Sequence, residues 1–158
     1  MIFEDIVDFA DMLGPGRGIA GLDLGEKTLG VAVSDPLLSI ATPLETIRRR
    51  KFSLDGKKLL EIAEHRALGG FILGLPRNMD GSEGPRCQST RAFARNLAGL
   101  TDAPISFWDE RLSTVAAEKA LLEADTSRAR RKEIIDHVAA GYILQGTLDR
   151  IRHLRQSA

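Results

Sequence analysis

The strongest constraint on this chain lies in residues 18–34, GIAGLDLGEKTLGVAVS. Two short apolar runs, 18–24 and 29–34, are separated by the tight Gly25-Glu26-Lys27 turn, and such a pair reads as a β-hairpin. Residues 39–47 read as a third strand. The pattern then changes period. Residues 55–67 place Leu59, Leu60, Ile62, Ala63 and Ala67 at helical spacing, and 70–75, GFILGL, is continuously apolar, as a central parallel strand would be. Residues 86–99 form a helix with Phe93, Ala94 and Leu97 inward, 104–108 a fifth strand, and 113–124 and 129–150 two further helices. Three antiparallel strands followed by alternating strands and helices predict an α/β fold with a five-stranded mixed sheet and helices on both faces.

The 158 residues suit one such domain. Residues 1–16 stand apart from it. Ile2, Ile6, Phe9 and Leu13 have helical spacing, and Gly14-Pro15-Gly16 ends the segment. We read 1–16 as an acidic helical appendage suited to docking or self-association, with a homodimer one expected assembly. Residues 17–150 form the domain and 151–158 a C-terminal tail. The N-terminus carries acids where a secretory signal carries bases, and apolar stretches are too short for a membrane span, so a cytoplasmic protein with no membrane partner is expected. A lone cysteine, Cys87, excludes an internal disulfide, and no Cys/His cluster suggests zinc.

Net charge is zero, but its distribution is uneven: Glu4, Asp5, Asp8 and Asp11 face no base in residues 1–13, so the remainder is basic. Bases gather at Arg48, Arg49, Arg50 and Lys51, and at Arg128, Arg130, Arg131 and Lys132. Such clusters can bind phosphate on a neutral chain. Solvated surface charge is the competing explanation for each. The second cluster opens the helix carrying Asp136, where the helix N-terminus already has partial positive charge; bases are tolerated there if an anion sits nearby.

Three carboxylates carry the candidate chemistry. Asp23 ends an apolar strand between Gly21 and Gly25, where an unpaired charge is costly and a ligand can approach closely. Glu110 follows the apolar run 105–108. Asp109 competes for its role, because adjacent strand residues point to opposite faces. Asp136 lies at the edge of an apolar stripe through Ile135, Val138, Ala139, Tyr142 and Ile143, where small alanines would let the helix lie close to the sheet. His137 is a further candidate ligand or base. Two strand ends and one helix offering only oxygen ligands suit a hard ion, Mg2+ or Mn2+, and such ions serve phosphodiester hydrolysis.

With these residues in view, GLDLGEKTLGVAVSD, GLPRNMDGSEGP, WDERLST and IDHVAAGYIL together resemble the YqgF/RuvX family of RNase H-like proteins, from about residue 18 to 148. The resemblance implies an RNase H-like nuclease acting on structured nucleic acid: pre-16S rRNA processed at its 5′ end in ribosome biogenesis, or Holliday-junction DNA as the runner-up. It implies that Asp23, Glu110 and Asp136 are the catalytic and metal-holding carboxylates. It also implies that Asn78, Asp80 and Gly81 support the site from a loop. Thr28 stands where many relatives carry arginine, and His137 where lysine is common. Two other readings compete. DLGEKTLGVAV also resembles the phosphate hairpin of actin-like ATPases, but that fold needs a second such domain. A non-catalytic nucleic-acid-binding assembly factor could share the fold.

Overall fold

The structure, a computed structural model, describes residues 1–112 and 128–157 and, within 128–135, the backbone alone. The hairpin forms as expected, from β2 (Gly18–Leu24) and β3 (Thr28–Ser34). It is continued by β4 (Ala41–Arg48). The chain then crosses through α2 (Phe52–His65) to β5 (Leu68–Leu75), which lies parallel to β2. A second crossover, α3 (Pro85–Ala98), leads to β6 (Ile105–Asp109), parallel to β5. The long α4 (Arg128–Gln156) closes the domain. The helix expected over 113–124 lies outside the described residues.

The sheet has six strands where five were expected, in the order β1-β6-β5-β2-β3-β4. The extra one is β1 (Ile2–Phe3), which runs parallel to β6 with Ile2 opposite Ile105 and Phe3 opposite Ser106. The Ser106 hydroxyl donates to Phe3 O at 2.6 Å and fastens the edge. The helix expected from the spacing of Ile2, Ile6, Phe9 and Leu13 is therefore shorter, α1 (Ile6–Asp11), with Asp5 accepting from Val7 N at its start. The apolar side of this segment is spent on the domain itself: Phe9 is fully buried, with Phe3, Ile6 and Leu13 packed beside it.

Strand alternation divides the core in two. Leu22, Leu24, Leu29, Val31, Leu73 and Phe107 face α2 and α3, meeting Leu59, Phe93 and Leu97. Ile19, Ala32, Ile72 and Trp108 face α4 and α1. On α4 the buried stripe is Ala139, Ala140, Ile143, Leu144, Thr147, Leu148 and Ile151, while Tyr142 is exposed. The stripe expected through Tyr142 is thus rotated by about one residue, or ~100°, which is one helical step.

The β3–β4 connection holds α4 in place. Gln145 Nε2 and Arg152 Nη2 both donate to Ser39 O, and Ala41 N donates to Gln145 Oε1. Asp35 shapes that connection by accepting from Ser39 N, Ser39 Oγ and Ile40 N. The bonds from Ile40 and Ser39 hold its pKa at about 2, below the ordinary 3.8. A lowered carboxylate pKa gives stability that is fully present above the ordinary value and is lost as pH falls through the folded one. Asp35→Asn is therefore expected to melt below wild type at pH 6. The gap should close between about pH 4 and pH 2, as thermal melts across that range will show.

Candidate active site

Asp23 lies near the end of β2 and is 5% exposed. It shares the α4 side of the strand with Ile19 and Gly21 by alternation. Its lateral neighbour on β3 is Gly30. On β5 the register Gly21–Ile72, Leu22–Leu73 continues to Gly74. Neither neighbour has a side chain, and the space is used. A Cβ on Gly30 would overlap the carbonyl oxygen of Asp136. One on Gly74 would overlap Ile143 Cδ1 and sit 3.2 Å from Glu110 Oε2. The two glycines therefore admit α4 on one side of Asp23 and the Glu110 carboxylate on the other, with neighbouring strands about 4.8 Å apart.

Glu110 begins the 3-10 turn Glu110–Leu112 beyond β6 and is 7% exposed. Asp109 takes a different position. Its carboxylate accepts from Arg111 Nη2 at 2.7 Å and Arg111 N at 3.0 Å, and Arg111 holds its pKa below the usual carboxylate range. Of the two adjacent acids left open by the sequence, Glu110 is the one lying over Gly74 on the same side of the sheet as Asp23.

Asp136 sits in α4 above Gly30, and its Oδ2 accepts from Thr28 Oγ1 at 2.5 Å. Thr28, noted in the sequence only as a departure from arginine, positions this carboxylate. His137 turns to the β4 side, with Nδ1 at 2.9 Å from Thr46 Oγ1. No three His, Cys, Asp or Glu side chains among the described residues are already gathered as a metal cage. The donor chemistry nevertheless fits a hard ion. Mg2+ is commonly held by one or two carboxylates, its remaining positions going to water and substrate phosphate. Asp23 and Glu110 would hold it, and Asp136, held by Thr28, stands on the far side of Gly30 from them. The sole thiol, Cys87, is buried in the core on the other face.

The loop after β5 is bonded within itself. Asn78 N donates to Ser82 O and Asn78 Nδ2 to Ser82 Oγ; Ser82 N and Oγ both donate to Asp80 Oδ1. Gly81 has φ +89°, and the Arg111 guanidinium lies against it. Arg111 also bonds Asp109, so this loop is coupled to the strand end that carries Glu110. Among the expected phosphate contacts, Arg48 is exposed, and Arg49 donates to Gly25 O at 2.6 Å, bracing the β2–β3 turn. The side chains of Arg128, Arg130, Arg131 and Lys132 lie outside the described residues. A cavity of about 520 Å3 adjoins Asp136, lined in part by Lys27, Thr28, Arg49, Arg86 and Ser89. Lys27, Arg86 and Ser89 escaped the sequence reading, since each is an ordinary surface residue until the fold brings the turn and α3 together.

A mixed sheet of this order, flanked by helices and carrying a buried aspartate beside a second carboxylate at one end, defines an RNase H-like nuclease fold. Residues 17–150 match the model of the RuvX family, described as Holliday junction resolvase, and the chain belongs to that family. Nucleases of this kind are hydrolases. It is 69% identical over 157 residues to a protein of Ruegeria sp. (strain TM1040) named "Putative pre-16S rRNA nuclease", covering 99% of this chain and 100% of the relative. A protein of the same name from Ruegeria pomeroyi is 70% identical over 154 residues, covering 98% and 100%. Among solved structures, T. thermophilus RuvC in complex with Holliday junction substrate superposes with a TM-score of 0.51 at 13% identity, covering 85% of this chain and 96% of that one. That likeness concerns the fold.

Proposed function

We propose that this protein is a divalent-metal-dependent nuclease of the cytoplasm that cleaves structured RNA, processing the 5′ end of pre-16S rRNA during ribosome biogenesis. One observation carries the chemistry: Asp23 is buried between Gly30 and Gly74, with Asp136 and Glu110 brought in over those two glycines. Asp23 and Glu110 are both buried at this end of the sheet, and buried carboxylates are costly without a compensating cation. When bound, Mg2+ or Mn2+ would neutralise the phosphate, acidify an attacking water and stabilise the leaving oxyanion. The protein's own part is to fix the carboxylates: Asp23 by the sheet, Glu110 by the turn after β6, Asp136 by Thr28. The rRNA substrate is supported by the name shared by relatives about 70% identical across nearly the whole chain.

The family description, Holliday junction resolvase, favours branched DNA as a second reading. The two are separated by incubating the protein with an RNA spanning the 5′ end of pre-16S rRNA and with a synthetic four-way DNA junction, in Mg2+, in Mn2+ and in EDTA. Cleavage of the RNA at least about tenfold faster than the junction, abolished by EDTA, is expected. Faster cutting of the junction would reassign the substrate. Tight RNA binding with no cleavage in either metal would leave a non-catalytic assembly factor. Bound ion should also raise the melting temperature, since it favours the folded state.

A further inference from the structure

We propose that the cavity beside the β2–β3 turn is a second phosphate site, which grips a non-scissile phosphodiester of the strand being cut. The proposal rests on the nuclease reading. The cavity, about 520 Å3, lies where β2 ends, and its lining comes from parts of the chain far apart in sequence. Lys27 comes from the turn, Arg49 from the end of β4, and Arg86 and Ser89 from the first turns of α3; Thr28 and Asp136 join it to the carboxylates. Three bases face two acids, Glu26 and Asp136. Asp136 is already engaged by Thr28, whereas Lys27 and Arg86 have no ion-pair partner among the described residues. Unpaired bases converging on one cavity favour an anion.

Two further features specify a phosphate. Helix α3 opens with Gly84 as N-cap and Pro85 in its first turn, so the N-cap residue has no side chain to cap the leading N–H groups, which suit an anion. Arg49 is pre-oriented by its bond to Gly25 O at 2.6 Å. The volume exceeds that of a lone phosphate and admits the attached sugar as well. Because Asp136 borders both regions, a strand whose cleaved phosphate lies over Asp23 would lay a neighbouring phosphate into this cavity. Its role is to set the register of the strand against the carboxylates, and hence where the cut falls.

The test is a scan with short RNA substrates, each carrying one neutral methylphosphonate linkage at a different position. Wild type and the double variant Lys27→Ala/Arg86→Ala are compared in Mg2+ for affinity and for single-turnover cleavage. Both residues are exposed, so the variant should melt like wild type. For wild type, a neutral linkage at one non-scissile position should weaken binding about tenfold, as expected for loss of a charge-assisted contact. The variant should bind the unmodified RNA more weakly, be indifferent to the neutral linkage at that position, and show a log–log salt slope flatter by about 0.7 per lost contact. It should also cut at scattered positions. If wild type binds and cuts but both proteins respond alike at every linkage, the second site is overturned and the nuclease reading stands. If wild type neither binds nor cuts the RNA, both fall.

Discussion

Asp23→Asn is expected to reduce cleavage by at least about a thousandfold while leaving the fold intact. Asparagine has nearly the same shape, so the position between Gly30 and Gly74 is filled as before. What changes is charge. A carboxylate that holds a hard cation cannot be replaced by an amide, and the several kcal/mol supplied by such an ion correspond to about three orders of magnitude in rate. Removing one of two neighbouring negative charges also relieves repulsion in the metal-free protein. The variant should therefore melt at or above the wild-type temperature in EDTA, and lose the rise that Mg2+ gives wild type. Cleavage assays and melts, each with and without metal, check both halves. A folded variant cutting at the wild-type rate would remove Asp23 from the mechanism.

Gly30→Ala is expected to damage the site by a different route. The added methyl would meet backbone atoms of α4, the carbonyl of Asp136 and His137 N at 2.9 Å, and a helix backbone cannot rotate aside as a side chain can. Overpacking of this sort typically costs about 1–3 kcal/mol. For a domain of this size, that is a fall of several degrees in melting temperature. The loss of cleavage should be larger, on the order of a hundredfold, because a shift of about 1 Å in a catalytic group has that effect. Gly21→Ala is the control. It meets Leu144 Cβ at 2.6 Å and Ala140 O at 2.9 Å on the same face, farther along α4 from Asp136. It should destabilise comparably and lose less activity. Equal losses of activity in the two variants would show that the position of Asp136 does not matter.

Local pattern made much of this architecture legible. The hairpin, the continuous apolar β5 and the two crossover helices were readable because each has its own period and turn residues. Asp23 and Glu110 stood out as charges ending apolar runs, and Asp136 as a charge at the edge of an apolar helical stripe. What the pattern left open is information held between elements. Ile2 fits a helical stripe as well as a strand, and only the open side of β6 decides for the strand. The choice between Asp109 and Glu110 depends on where β6 stops and on Arg111 occupying Asp109. Thr28 becomes a holder of Asp136 only once α4 crosses β3, and its 108-residue separation from that aspartate leaves no local trace.

The edge strand β1 also sets an order of events. Phe3 and its partner Ser106 are 103 residues apart, so during synthesis Ile2 and Phe3 wait for β6 to appear before they can pair. Contacts of such high sequence separation form late, since the chain entropy of closing a long loop must be overcome first. The β2–β3 hairpin, by contrast, can close as soon as it emerges. The emerging chain therefore carries an unsheltered apolar stretch, Ile2, Phe3, Ile6 and Phe9, until β6 has been made. Its four interspersed acids, Glu4, Asp5, Asp8 and Asp11, are well placed to keep that stretch dispersed until β6 receives it.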